Sequence, residues 1–280
     1  MFLEHPFSTL RRRRSLSPCL RLQTLKSLQA ASGLVCLMIQ KLFLVASLVA
    51  MFGCQAHYKI SSREVVYVWW AGGEKRARNV AGADPQTFEQ LNNTFGRDHL
   101  RAFWMGSEVK NAHATSFTPL DNYHAIDDRN AYFTVSVLTD SKAQSFELLA
   151  GSWSRDDANY YYNKWRVPVC DYDTFEIIDE YVPSRGLDRE CYIFAGGFNG
   201  PQIVSVLDFG SLEILPGNYA RDSQAAYYGG SIISRADPKT FEVREGTDFS
   251  IARDTRQCYA GTRPLSCEDL DATTADWCRC

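Results

Sequence analysis

The stretch Tyr219-Ala-Arg-Asp222-Ser-Gln-Ala-Ala-Tyr227-Tyr228-Gly-Gly-Ser-Ile-Ile233-Ser-Arg-Ala236-Asp-Pro-Lys-Thr-Phe241 decides the fold. Tyr, Ile and Ala alternate with polar residues in runs too short for a helix, and Gly229-Gly230 supplies the positive backbone angles of a tight hairpin. In Ala236-Asp-Pro-Lys-Thr-Phe241 the aspartate can cap the amides that follow and the proline presets the first turn. The segment therefore reads as one capped helical turn that aims Phe241 at the core.

Working outward, the same pattern recurs along the chain. An anchor after a Thr/Ser-like turn falls at Phe88, Phe117, Phe146, Phe175, Leu212, Phe241 and Leu270, in steps of 29, 29, 29, 37, 29 and 29 residues. Ten residues after four of the anchors comes an aspartate, at Asp98, Asp127, Asp156 and Asp222; after Phe241 the gap is thirteen, reaching Asp254. Five residues further on stand Phe103, Tyr132, Tyr161, Tyr227 and Tyr259. The fourth copy is irregular: its aspartate is Asp188, its aromatics are Tyr192 and Phe194, and the extra residues fall around Gly196, Gly197 and Gly200, as expected for a loop insertion.

Each unit supplies two or three short strands and one capped turn, too little to bury its own apolar face, so neighbours must stack to make a core. The predicted fold is mainly β, a tandem array of about six 29-residue β-hairpin repeats, solenoid-like or an open meander. A period near 29 is shorter than the roughly 40 to 45 residues of a propeller blade, which favours such an array over propeller-like closure.

The segment Asp157-Ala-Asn-Tyr160-Tyr161-Tyr162 differs at one place from the string that names the DKNYY repeat family, and Ala-Asp-Pro-x-Thr-Phe-Glu followed by aromatic-x-Arg-Asp resembles that family's unit. The resemblance spans roughly residues 62 to 276, with departures at Ile126, at Ala114 to Phe117 and in the fourth copy. It implies a bacterial, often exported repeat protein without an established biochemical activity, and it carries no catalytic residues.

The start of the chain predicts export. Met38-Ile-Gln-Lys41 followed by Leu42 to Phe52 is a basic head before an apolar run shorter than the ~20 residues of a membrane-spanning helix, the pattern of a secretory signal. It ends in Met51-Phe-Gly-Cys54, which resembles a bacterial lipobox and makes Cys54 the lipid-attachment residue. An ordinary cysteine near a different cleavage point, or an uncleaved anchor, is the rival reading. Gln55 after the cysteine suggests passage to the outer membrane, facing the periplasm. Residues 1–37 read as an over-long start or disordered leader, with a transit peptide or twin-arginine signal at Arg11 to Arg14 as the alternative. The domain plan is a signal over 38–53, a linker over 54–61 and one repeat domain over 62–280.

From Cys54 onward the chain carries 23 Lys and Arg against 32 Asp and Glu. That balance opposes nucleic acid and anionic headgroups, leaving membrane attachment to the lipid alone.

Six cysteines follow Cys54 in an oxidising setting: Cys170, Cys191, Cys258, Cys267, Cys278 and Cys280. Repeat phase favours Cys170 with Cys191 and Cys258 with Cys267, leaving Cys278 and Cys280 paired to each other or to an outside thiol. No Cys-x-x-Cys pair points to zinc, no histidine spacing points to another metal, and no cofactor is implied. The Arg-Asp pairs at Arg97-Asp98, Arg155-Asp156, Arg221-Asp222 and Arg253-Asp254 recur too often for a reaction centre and read as turn closures.

Aromatics outside the shared phase, Trp69, Trp70, Trp104, Trp153 and Trp165 with Tyr160 and Tyr162, form either the second side of a two-sided core or an exposed binding face. Trp69, Trp70, Trp104 and Trp165 are the candidate binding residues. The functional readings are a lipid-anchored scaffold for an envelope protein, then an envelope glycan binder, then an enzyme whose site is built from loops such as Gly196 to Pro201.

Overall fold

In the computed structural model the described residues are 55–179, 185–196, 199–244 and 251–279. The leader and signal over 1–53, Cys54 and Cys280 lie outside them. Among the described residues the chain is a succession of small antiparallel meanders, six of four strands preceded by one of three. The N sheet comprises β1 (His57–Ile60), β2 (Val65–Ala71) and β3 (Glu74–Asn79). Sheets 1 to 6 follow over residues 89–109, 118–137, 147–166, 176–203, 213–232 and 242–264. Each unit has four strands where the sequence predicts two or three. A 29-residue period houses four because most are only two or three residues long, a length that packing must stabilise.

The residues form two compact units, one reaching Lys110 and one starting at Asn111. Among the described residues the strands begin at His57, inside the stretch read from sequence as a linker. The first unit holds the N sheet and sheet 1, whose facing sides share Tyr58, Val65, Tyr67, Val80, Phe88 and Phe103. The second holds sheets 2 to 6, joined in chain order by shared clusters.

Strand alternation explains why one unit cannot stand alone. In sheet 5, Ala220 and Tyr227 are opposite each other and pack with Tyr192 and Val204 of sheet 4, whereas Tyr219 and Ala226 pack forward with Phe241, Ala252 and Tyr259 of sheet 6. The phased tyrosine thus looks back and its neighbours look forward. Tyr160, Tyr161 and Tyr162 of sheet 3 are all buried for this reason, Tyr161 towards sheet 2 and the other two, with Trp153, towards sheet 4.

Phe175 and Phe241 show how an anchor pins two sheets. The Phe175 ring lies 5.6 Å from Trp153 and 4.6 Å from Tyr160 of the preceding sheet, and Phe241 lies 5.7 Å from Tyr219 and 5.8 Å from Tyr259. The anchor rests on the residue two before each aspartate, which is small in every copy: Gly96, Ala125, Ser154, Gly186, Ala220 and Ala252. A Cβ on Gly186 would stand 2.3 Å from the Phe175 Cζ.

The fourth copy keeps this phase. Ile193, five residues after Asp188 and opposite Gly186, fills the slot of the phased tyrosine, so Tyr192 and Phe194, the aromatics the sequence assigns to that slot, flank it instead. Leu270, the seventh anchor, leads into no sheet. A helix α1 (Ala272–Trp277) follows, capped by Asp271, which accepts from the Thr273 amide at 3.0 Å and the Thr274 amide at 3.1 Å.

Phe175→Ala is expected to destabilise the second unit by about 3–5 kcal/mol. Urea unfolding followed by tryptophan fluorescence measures this; a loss below about 1 kcal/mol would mean that the units are self-sufficient.

Candidate functional site

The polar residues shared by the units build one joint, repeated six times. The aspartates Asp98, Asp127, Asp156, Asp188, Asp222 and Asp254 are all buried. One carboxylate oxygen accepts from the amides two and three residues on, as Asp222 Oδ1 does from Gln224 and Ala225, both at 2.7 Å. The other accepts from the turn that precedes the anchor: Asp222 Oδ2 from the Leu207 amide at 3.0 Å and the Asp208 amide at 2.9 Å. Where the phased residue is tyrosine its hydroxyl donates to the same carboxylate, at 2.6 Å for Tyr132, 3.2 Å for Tyr161, 2.5 Å for Tyr227 and 2.9 Å for Tyr259. The Thr or Ser before each anchor completes the joint by accepting from the amide after the aspartate, as Ser211 Oγ does from Ser223 at 2.8 Å.

Burial raises the carboxyls of Asp127, Asp156, Asp188, Asp222 and Asp254, but their amide and hydroxyl donors outweigh it and hold each below the ordinary value. Burial, then the bond to Asp222, pushes the Tyr227 phenol up to about 12, so it stays a donor. In the four copies where an arginine precedes the aspartate it points away from it: Arg97, Arg155 and Arg221 pair across the strands with Glu89 at 3.1 Å, Glu147 at 2.5 Å and Glu213 at 2.7 Å, and Arg253 pairs with Glu242. The Arg-Asp dipeptides are therefore not acid–cation pairs.

At the rim of each joint the first turn residue meets the residue after the aspartate, and the charges swap from copy to copy. Asp84 lies 3.4 Å from His99, His113 2.6 Å from Asp128, Lys142 2.7 Å from Asp157, Asp171 2.5 Å from Arg189, and Asp208 2.5 Å from the Ser223 hydroxyl. Thr115 Oγ1, 3.1 Å from His113 Nε2, makes a hydroxyl–imidazole–carboxylate line with Asp128. Sheet 1 keeps a histidine–aspartate pair with its sides exchanged, and sheets 3, 4 and 5 hold Lys, Arg and Ser in place of the histidine, so the line is a rim contact.

The candidate binding aromatics do not form one row. Trp69 and Trp70 are neighbours on β2 and face opposite sides: Trp69 packs on the core beside Tyr67 with the Arg78 guanidinium 5.5 Å away, and Trp70 lies near His57 and Lys75. Trp104 is half-buried. Trp165 is 40 % exposed, with Lys164 Nζ 4.6 Å from its ring and Gly200 closely packed on it.

Sequence reasoning missed the cations of β3. The run Glu74-Lys-Arg-Ala-Arg-Asn79 is exposed throughout and lies beside the two tryptophans. The visible signal was its local basic excess, which the net charge of the whole chain concealed.

Cys170 is bonded to Cys191, and Cys258 to Cys278 rather than to Cys267. The correction has a cause in strand phase. Cys191 stands three residues after its aspartate and Cys258 four, so they face opposite ways. Cys191 turns back to its own turn, while Cys258 meets α1, where a following sheet would lie. Cys267 is also disulfide-bonded. With its two sulfurs joined, the cluster of Cys170, Cys191 and Asp188 offers a metal only the carboxylate, which four amides already occupy.

The first disulfide sits where sheet 4 lacks the tyrosine hydroxyl. The residue three after the aspartate bridges the same gap elsewhere: Arg101 donates to the Gly82 carbonyl in sheet 1, and Asn159 to the Asp140 carbonyl at 3.2 Å in sheet 3.

Self-similar four-stranded sheets, each closed by a buried aspartate, define a tandem β-repeat protein. The chain belongs to the DKNYY family, whose sequence profile matches residues 57–192 and 188–263. The two matches meet in sheet 4, the irregular copy. No curated protein and no solved structure matches the chain.

Carboxyls held low in the folded state stabilise it fully above the unfolded value and lose that contribution as pH falls through the folded values. Urea midpoints are therefore expected to drop as pH falls below about 4, with five joints contributing. The paired change Cys170→Ser with Cys191→Ser, opening a 21-residue separation, is expected to lose about 3 kcal/mol. Adding Ile193→Tyr should return about 1 kcal/mol through a hydroxyl bond to Asp188, as read by the same urea titration.

Proposed function

We propose that the chain is a non-enzymatic, lipid-anchored scaffold of the bacterial cell envelope, held at the outer membrane through Cys54 and presenting its sheets to an envelope protein. One observation carries this reading. The side chains common to the units are used up in closing them, while the exposed rim pairs differ from copy to copy, from Asp84 with His99 to Asp171 with Arg189. A uniform frame with a varied rim suits recognition of a partner along its length, and a reaction centre needs its groups once. The short apolar run before Cys54 and the spacing of Gly53 and Cys54 support the anchor.

A second reading, glycan binding, rests on Trp165, whose exposed ring beside Lys164 is suited to stack on a sugar face.

Mass spectrometry of the mature N-terminus is expected to find an acyl-glycerol thioether on Cys54; an intact Met1 or Met38 refutes the anchor. Crosslinking in intact cells is expected to capture a protein through the rim, with capture lost when Asp171 and Arg189 are exchanged and the fold is unchanged. Recovery of peptidoglycan fragments alone, abolished by Trp165→Ala, would replace the scaffold with the glycan reading.

A further inference from the structure

The charge of the chain is strongly polarised. Residues 55–79 carry five Lys and Arg against two Glu, whereas residues 80–280 carry 18 Lys and Arg against 30 Asp and Glu. All five cations, Lys59, Arg63, Lys75, Arg76 and Arg78, are exposed and belong to the N sheet or its first turn.

Their surroundings differ from those of the arginines that precede the joint aspartates. Arg97, Arg155, Arg221 and Arg253 are each neutralised by a glutamate across the strands. Among the described residues none of the five N-sheet cations forms an ion pair, and their contacts are to rings and a hydroxyl: Lys75 lies 6.0 Å from the Trp70 ring, Arg78 5.5 Å from the Trp69 ring, and Arg78 donates to Ser107 Oγ at 3.1 Å.

The sheet also has a second side, on which Lys59 and Lys75 are exposed, Val66 and Trp70 half-buried and Val68 buried. Tyr58, Tyr67 and Trp69 face sheet 1. On the other side register places His57 opposite Val68, Lys59 opposite Val66, and Lys75 opposite Trp70. A terminal sheet in a repeat array ordinarily turns a polar face outward. This one presents a half-buried tryptophan and valine framed by Lys59 and Lys75.

We propose that the N sheet is a membrane-contact surface that binds anionic lipid headgroups, with Lys59, Lys75 and, in the first turn, Arg63 as the headgroup ligands and Trp70 at the interface. Arg76 and Arg78, opposite Trp69 and Tyr67, lie on the side of sheet 1 and outside the contact. The proposal deepens the anchored reading above. Cys54 precedes β1 by three residues, a reach of about 10 Å, comparable with the Debye length of roughly 8 Å at physiological salt. An acyl chain on Cys54 would hold the ligand cations within range of the headgroups, and tryptophan is suited to the membrane–water boundary. The acidic remainder of the chain is repelled by the same headgroups, which leaves the N sheet as the segment the bilayer attracts.

The test uses the mature protein purified from envelopes and added to phosphatidylcholine vesicles or to equimolar phosphatidylcholine–phosphatidylglycerol vesicles. Flotation measures binding, and iodide quenching of tryptophan measures shielding. Anionic lipid is expected to strengthen binding and shield tryptophan, with an effect that fades as salt rises. Lys59→Gln/Arg63→Gln/Lys75→Gln should weaken the anionic increment by roughly fivefold per cation, while Trp70→Phe should remove most of the shielding. A control triple elsewhere, Arg235→Gln/Lys239→Gln/Arg256→Gln, should leave both unchanged, with near-ultraviolet circular dichroism verifying the fold of each variant. Equal binding to both vesicle types, or equal losses from the two triples, overturns the proposal. If the N-terminal mass shows no lipid and the anionic increment persists, the anchor reading falls and the surface stands. If the lipid is present and the increment is absent, the surface falls and the anchor stands.

Discussion

The structure depends on a carboxylate that is buried while still charged. Each unit brings together two backbone segments, the turn before the anchor and the loop after the second strand, whose amides would otherwise lose water without replacement. An aspartate placed between them accepts from both, and burial, which alone would favour its neutral form, is outweighed by the donors around it. Strands of two or three residues hold too few ladder bonds to fix their own spacing. The joint fixes the entry and exit of the sheet, and the sheet then has only to supply a flat surface for its neighbours.

Packing follows from that arrangement. Because side chains alternate, a sheet held between two others has two core faces, and a phased tyrosine looking back is matched by forward-looking residues on either side of it. The anchor then needs a small residue beneath its ring, which explains why Gly, Ala and Ser alone occupy that place. Variation is accommodated in pairs. Leu212 replaces a phenylalanine beside sheet 4, where buried Arg185 fills the aromatic slot and donates to the Leu215 and Tyr219 carbonyls, both at 2.9 Å. In the same sheet a disulfide stands in for a hydroxyl. The rim pairs keep a polar contact while the acidic residue moves from one side of the joint to the other.

This division between a repeated interior and a varied exterior supports a scaffold more than a reaction centre, and it bears on the polarity of the molecule. Cross-strand glutamates neutralise Arg97, Arg155, Arg221 and Arg253, and among the described residues the N-sheet cations have no such partner. A chain that is acidic overall can therefore offer a basic surface at its first sheet, and net charge is a poor guide to such a surface.

The sequence by itself determined the repeat, its period, the β class and the structural role of the Arg-Asp pairs, because residues that close the same turn must recur at the same spacing. It also showed which cysteines could pair, but it placed Cys191 and Cys258 in one slot when they stand one residue apart in phase. That slip reverses the face of a strand and with it the partner. Four strands rather than two or three, the burial of Tyr160 and Tyr162, and the unpaired state of Lys75 and Arg76 were decided by tertiary structure alone. Each depends on what lies across from a residue, and a linear pattern of hydrophobicity does not carry that information.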